Sequence, residues 1–149
     1  MNPLVAISLG AGVQSSVLLL MAAAGLITPK PVRAIFADTN WEPQSVYKYL
    51  DYLIPISEAA GIDVDIVERG DIRDAFLNQA PIKASPPLFT LKEGDERTSI
   101  LHRQCTMDYK IVPVRRRLRE IQTHYHQPVE LWLGITTDEI MHKKDSRVK

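Results

Sequence analysis

The stretch "LVAISLGAGVQSSVLLLMAAAGL", residues 4–26, decides the fold. An apolar run short enough for a strand feeds three small residues, Ser8, Gly10 and Gly12, then Gln14-Ser15-Ser16, then a second apolar run too long for a strand. A strand, a glycine-rich bend and a helix in immediate succession open a strand-helix-strand unit. The bend has two readings. The glycines serve backbone shape alone, or they leave bare amides that converge with the helix's unpaired first N–H groups on an anion such as phosphate. No Lys follows the second glycine as a Walker-type loop requires, and no third glycine stands at the dinucleotide-binding position.

Outward from this stretch, Val- and Ile-rich segments alternate with longer amphipathic ones, which predicts a parallel sheet within a single domain spanning 1–149. Strands are expected at 4–8, 32–37, 63–68 and 129–134. The first helix is predicted over 14–24, with Gly25 as the left-handed residue that ends it. A second begins near "NWEPQSVYKYL" with Pro43 in its first turn, and Pro55 is expected to break or kink it, leaving 56–61 as a last piece. A short third helix follows over 71–79. The prolines and the "KEGDER" charges between Ala80 and Thr98 read as one long loop, of the kind that is functional or disordered. A fourth helix starts at Pro113 and runs through "PVRRRLREIQTHY".

Composition narrows the function. Eighteen Lys and Arg against 18 Asp and Glu leave a net charge of +0, so nucleic acid is not indicated and any anion must be held by local groups. The single cysteine, Cys105, excludes an intramolecular disulfide. No signal-peptide pattern opens the chain, and its longest apolar stretch falls short of the about 18 residues a membrane span needs. The expectation is a cytoplasmic protein with no membrane role.

"GAGVQSS" resembles the pyrophosphate-loop (PP-loop) pattern Ser-Gly-Gly-x-Asp-Ser-Ser of the adenine nucleotide alpha hydrolase superfamily, and "SLGAGVQSS" resembles its branch related to phosphoadenosine phosphosulfate (PAPS) reductase. Three further blocks agree in order. "FADTNWEP" is similar to the Asp-Thr-Gly segment closing that family's second strand, "RQCTMDYKIVP" to its Arg-x-Cys-Thr…Tyr-Lys-Ile-x-Pro segment, and "LGITTDE" to its Gly-Ile-x-x-Asp-Glu segment. The chain departs from the pattern where Gly10 and Ala11 replace the first Ser and Gly, where Gln14 stands in place of Asp, and where Asn40 stands in place of a frequent glycine. Gln14 cannot be a charged metal ligand. Relatives continue beyond this chain's last block, so the domain is expected to lack the family's C-terminal segment.

The resemblance implies a Rossmann-like, three-layer α/β/α fold whose first strand lies beside the fourth, with the ligand in the crevice where the chain changes winding direction. It implies nucleotide contacts from Ser8, Gly10, Gly12, Gln14, Ser15 and Ser16, from Asp38 and Thr39 one strand over, and from Gly134, Asp138 and Glu139 opposite the loop. Asp38 read alone equally suits a helix cap, and Asp138 with Glu139 a solvated helix start. Arg103 and Lys110 are candidates to stabilise phosphate or sulfate charge, and Cys105 between them is a candidate nucleophile. Arg115, Arg116, Arg117 and Arg119 read as a mostly solvated basic face over buried Leu118 and Ile121, with Arg116 the exception to watch.

The ligand implied is ATP or PAPS, with Mg²⁺ left open. One cysteine supplies a single one of the four ligands an iron-sulfur cluster takes, and His124 and His126 lack partners at zinc-ligand spacing. The activity implied is cleavage at the α-phosphate of ATP with adenylyl transfer, or sulfonucleotide reduction with a thioredoxin-type donor. A noncatalytic nucleotide-binding subunit, paired with another protein or its own copy, is the alternative.

Overall fold

A computed structural model describes residues 3–78, 89–91, 98–100 and 105–136. In chain order the elements are β1 (Leu4–Leu9), α1 (Val13–Ala23), β2 (Arg33–Asp38), α2 (Gln44–Ala59), β3 (Asp63–Glu68), α3 (Ile72–Leu77), β4 (Phe89–Leu91), β5 (Thr98–Ile100), a π-helical segment (Thr106–Ile111), α4 (Val112–Tyr125) and β6 (Val129–Leu133). Four strands form one sheet in the order β3-β2-β1-β6, with every neighbouring pair parallel.

Parallel strands covered on both faces read as continuous apolar runs, and β1 and β2 do so. Their side chains divide between two cores. Ile7, Leu9, Ala34 and Phe36 pack with Leu19 and Ala22 of α1 and with Leu50 and Leu53 of α2. Ala6, Ile35 and Ala37 face the other way, onto Val114, Leu118 and Ile121 of α4. The result is the expected α/β/α three-layer arrangement, with β1 at its centre. After β3 the chain returns to the far side of β1 as β6, so the winding direction reverses at the β1/β6 boundary.

Helix α1 ends as the sequence predicts. Gly25 takes a positive φ of 71°, its N–H donates to the Ala22 carbonyl (3.1 Å), and the Leu26 N–H reaches back to Met21 (2.9 Å), the bond pattern of a Schellman cap.

Three expectations are corrected. Helix α2 continues through Pro55 to Ala59. Leu50, Leu53 and Ser57 are buried on either side of the proline, and the Ser57 hydroxyl donates to the Ile62 carbonyl (2.6 Å), so packing holds both halves and the helix is not broken. Strand β4 lies within the stretch read as a single loop and pairs antiparallel with β5, Thr90 opposite Ser99. Three-residue strands are too short to show a periodicity.

The fourth helix begins at Val112, close to the expected Pro113, and is preceded by a π-helical segment; the third correction, at Arg117, lies within the helix. Pro113 has no N–H to give, so a carbonyl one wide turn earlier loses its intrahelical partner. Arg69 fills that role. Its guanidinium donates to the Asp108 carbonyl (3.3 Å) and to the Asp108 carboxylate (2.8 Å), joining the end of β3 to the π-helix. Within α4, Leu118 and Ile121 are buried as expected, and Arg116 is solvated. Arg117 departs from the solvated reading by making a two-pronged pair with Asp65 of β3 (2.8 and 3.2 Å). The Asp65 hydrogen bonds hold the guanidinium's pKa above its ordinary value.

Candidate functional site

The loop between β1 and α1 is built by Ser15. The Gly10 N–H donates to Ser15 Oγ (3.1 Å), and the Ser15 hydroxyl donates to the Gly12 carbonyl (3.3 Å). One side chain thus closes the bend from inside, and α1 starts at Val13 with no side-chain cap on Gly12. The first-turn amides of a helix have no intrahelical acceptors, so they remain free to meet a ligand.

The glycines of this bend are not explained by backbone shape. Gly12 has φ −87° and ψ 173°, a conformation any residue adopts, and Gly10 is absent from the positive-φ positions. A Cβ on Gly10 would come no closer than 3.8 Å to another atom, and on Gly12 no closer than 4.0 Å. The residue that does need a left-handed backbone is Ala11, at φ 52°. Holding an L-residue there costs roughly 1–2 kcal/mol. Ala11→Gly is therefore expected to raise stability by about 1 kcal/mol in urea unfolding, and an unchanged midpoint would contradict the positive φ.

Ser16 adds a second feature. The residue is 2% exposed, and its hydroxyl has no hydrogen-bond partner among the described residues. Leaving a buried hydroxyl unpaired costs about 1–3 kcal/mol.

Across the boundary, Gly134 follows β6 and lies against the start of α1. A Cβ there would sit 2.5 Å from the Gln14 carbonyl carbon and 2.5 Å from the Ser15 nitrogen. The structure therefore brings Gly134 to the Gly10–Ser16 loop as the strand order implied, and the partner that requires glycine is the α1 backbone itself. Ser8 lies between Ile35 and Leu133 in register. Gln14 is exposed at the loop's outer side.

At the end of β2 a hydrogen-bonded network replaces the simple helix cap considered for Asp38. Asp38 Oδ1 accepts from the Asn40 N–H (2.8 Å) and from the Tyr47 hydroxyl (2.9 Å), and that hydroxyl accepts from the Glu42 N–H (3.3 Å). Burial raises the Tyr47 pKa, and the bond to Asp38 adds to the rise against the lowering effect of the Glu42 amide. Asn40 takes φ 58°, a left-handed conformation that Asn tolerates better than most residues. Its amide donates to Glu68 (2.8 Å).

Thr39 is buried, and its hydroxyl donates to Glu42 Oε1 (3.0 Å). The same oxygen receives Lys110 Nζ at 3.0 Å. Lys110, a candidate for binding phosphate, is thus half exposed and already paired with a carboxylate. Cys105 stands half-buried just before the π-helix. Arg103, Asp138 and Glu139 lie outside the described residues.

Glu42, Tyr47 and Arg69 were not legible in the sequence as parts of this region. Glu42 lies in the "FADTNWEP" block but is not singled out by it, since its pairing depends on the π-helix bringing Lys110 beside it. A cavity of about 390 Å³ lies elsewhere, between β2 and α4, lined by Arg33, Arg117, Glu120, Ile121, His124 and Tyr125. Its two arginines are already paired: Arg33 with Asp63 (2.6 Å), and Arg117 with Asp65 and Glu120.

Together the fold and loop define a parallel α/β domain with an open glycine-rich strand-to-helix bend at a topological switch point. The chain matches no protein-family model and no curated protein. Among the described residues, no helix is long and apolar enough to cross a membrane.

Proposed function

We propose that this protein binds an adenine nucleotide, ATP or a sulfonucleotide such as PAPS, with its phosphates on the Gly10–Ser16 bend, as a PP-loop protein resembling the PAPS reductase branch. The observation that carries this reading is that Gly10 and Gly12 are bare where neither backbone conformation nor packing requires it. An anion approaching the first-turn amides does require it. The unpartnered Ser16 hydroxyl beneath the bend is consistent with the same reading. Among the described residues no group of three His, Cys, Asp or Glu side chains is placed to hold a metal ion.

The reaction classes open to such a site are adenylyl transfer from ATP and sulfonucleotide reduction, the latter needing Cys105 and an external thiol donor. A noncatalytic nucleotide-binding subunit is the remaining alternative. Calorimetric titration with ATP, PAPS, AMP and pyrophosphate, followed by chromatography of the nucleotide products, tests the proposal. Binding of none of the four removes it. Sulfite release from PAPS that disappears in Cys105→Ser selects reduction, and pyrophosphate release that survives the same substitution selects adenylyl transfer.

Lys110 gives a further expectation. Glu42 places a negative charge 3.0 Å from the ammonium that a phosphate would use. Glu42→Gln keeps an oxygen for Lys110 and removes the repulsion, so affinity for pyrophosphate should rise about 3- to 10-fold at low salt, and the gain should shrink as salt screens it. A weakened affinity would make Glu42 an aid to binding and reverse this assignment.

A further inference from the structure

The chain's two tryptophans are in opposite situations. Trp132 of β6 packs against the core formed with α1 and α2. Trp41, at the carboxyl edge of the sheet just beyond β2, is 54% exposed. Singly exposed apolar side chains are common, so exposure alone carries little. What distinguishes Trp41 is the rigidity beneath it. The Asn40 N–H is bound by Asp38, the Asn40 amide by Glu68, the Trp41 N–H by Thr39 Oγ1 (3.4 Å), and the Glu42 carboxylate by Thr39 and Lys110. The polar groups of Asn40 and Glu42, which flank Trp41 in sequence, are engaged within the protein, and the Trp41 side chain is left exposed.

Its location completes the argument. Strand β2 is the hydrogen-bonded neighbour of β1, with Phe36 opposite Leu9, so the segment after β2 and the bend after β1 leave the same edge of the sheet. Adjacent strands lie about 4.8 Å apart. A ligand whose phosphates rest on the bend would therefore extend along the sheet edge that also carries the Trp41 segment. A large aromatic surface on a fixed backbone binds a planar partner with little loss of conformational freedom.

We infer that Trp41 is the stacking platform for the heteroaromatic base of the ligand, an affinity-determining contact separate from the phosphate bend. This inference rests on the nucleotide reading above. Stacking on an aromatic side chain tolerates any base, so the contact supplies affinity for a base over none and leaves the choice among bases to other groups.

The test compares ATP with pyrophosphate by calorimetry on the wild type, Trp41→Ala and Trp41→Phe. Trp41→Ala should weaken ATP roughly 5- to 150-fold, the span reported by alanine replacement of stacked aromatics, and leave pyrophosphate within about twofold. Trp41→Phe should retain most of the ATP affinity. In a Trp132→Phe background ATP, but not pyrophosphate, should quench the remaining tryptophan fluorescence. Unchanged ATP affinity in Trp41→Ala overturns the inference and leaves the phosphate site standing. Equal losses for both ligands overturn it by making Trp41 a structural residue. Failure of the wild type to bind either ligand removes the nucleotide reading, and the inference with it.

Discussion

Gly134→Ala is expected to destabilise the protein by about 3 kcal/mol or more, at the upper end of what forced overpacking costs. The added methyl would lie 2.5 Å from the Gln14 carbonyl carbon and the Ser15 nitrogen and 2.7 Å from the Gln14 carbonyl oxygen. These are backbone atoms in the first turn of α1, so no rotamer change relieves the contact. Either the end of β6 must leave β1, giving up the pairing of Leu133 with Ser8, or the start of α1 must move and carry the Ser15 hydroxyl away from Gly10. Urea unfolding measures the loss. Gly10→Ala, whose nearest neighbour is 3.8 Å away, is the matched control and should change stability by less than about 1 kcal/mol. A Gly134→Ala protein with the wild-type midpoint would contradict the packing of β6 against α1.

The second large effect falls on binding with the fold left intact. Gly12→Val should reduce affinity for ATP and pyrophosphate more than about 100-fold, because the branched side chain fills the space that phosphate oxygens need to reach the first-turn amides. Folding should tolerate it. Gly12 has an ordinary φ, a Cβ there has open surroundings, and a poor residue at a helix N-cap costs about 1 kcal/mol. The two glycines are therefore expected to separate two roles: Gly134 is required by the chain's own backbone, and Gly12 would be required by the proposed ligand. Retained affinity in folded Gly12→Val would leave the bend as a turn and nothing more. Circular dichroism and calorimetry on the same sample decide between these outcomes.

The layered architecture was legible because it rests on local patterns. The apolar runs of β1 and β2 and the length of the run after Ser16 are properties of adjacent residues, and so is Gly25 at the end of α1. The bend from Gly10 to Ser16 was legible for the same reason, and the resemblance of later blocks anticipated that Gly134 would face it.

What failed was equally specific. Pro55 is a strong local signal against a helix, and the burial of Leu50, Leu53 and Ser57 outweighs it. The π-helix before α4 and the Arg69 contact that satisfies it depend on residues 39 positions apart in sequence, beyond any window of periodicity.

The sequence by itself determined which residues form the central strands, where α1 begins and ends, and that its first turn follows a bare bend, since each depends on neighbours within a few positions. Only the tertiary structure decided that Gly134 is held against α1, that Lys110 is paired with Glu42, and that Arg117 is pinned to Asp65. A charged side chain takes whichever opposite charge the fold places within about 4 Å, and that distance is set by packing between elements far apart in the chain.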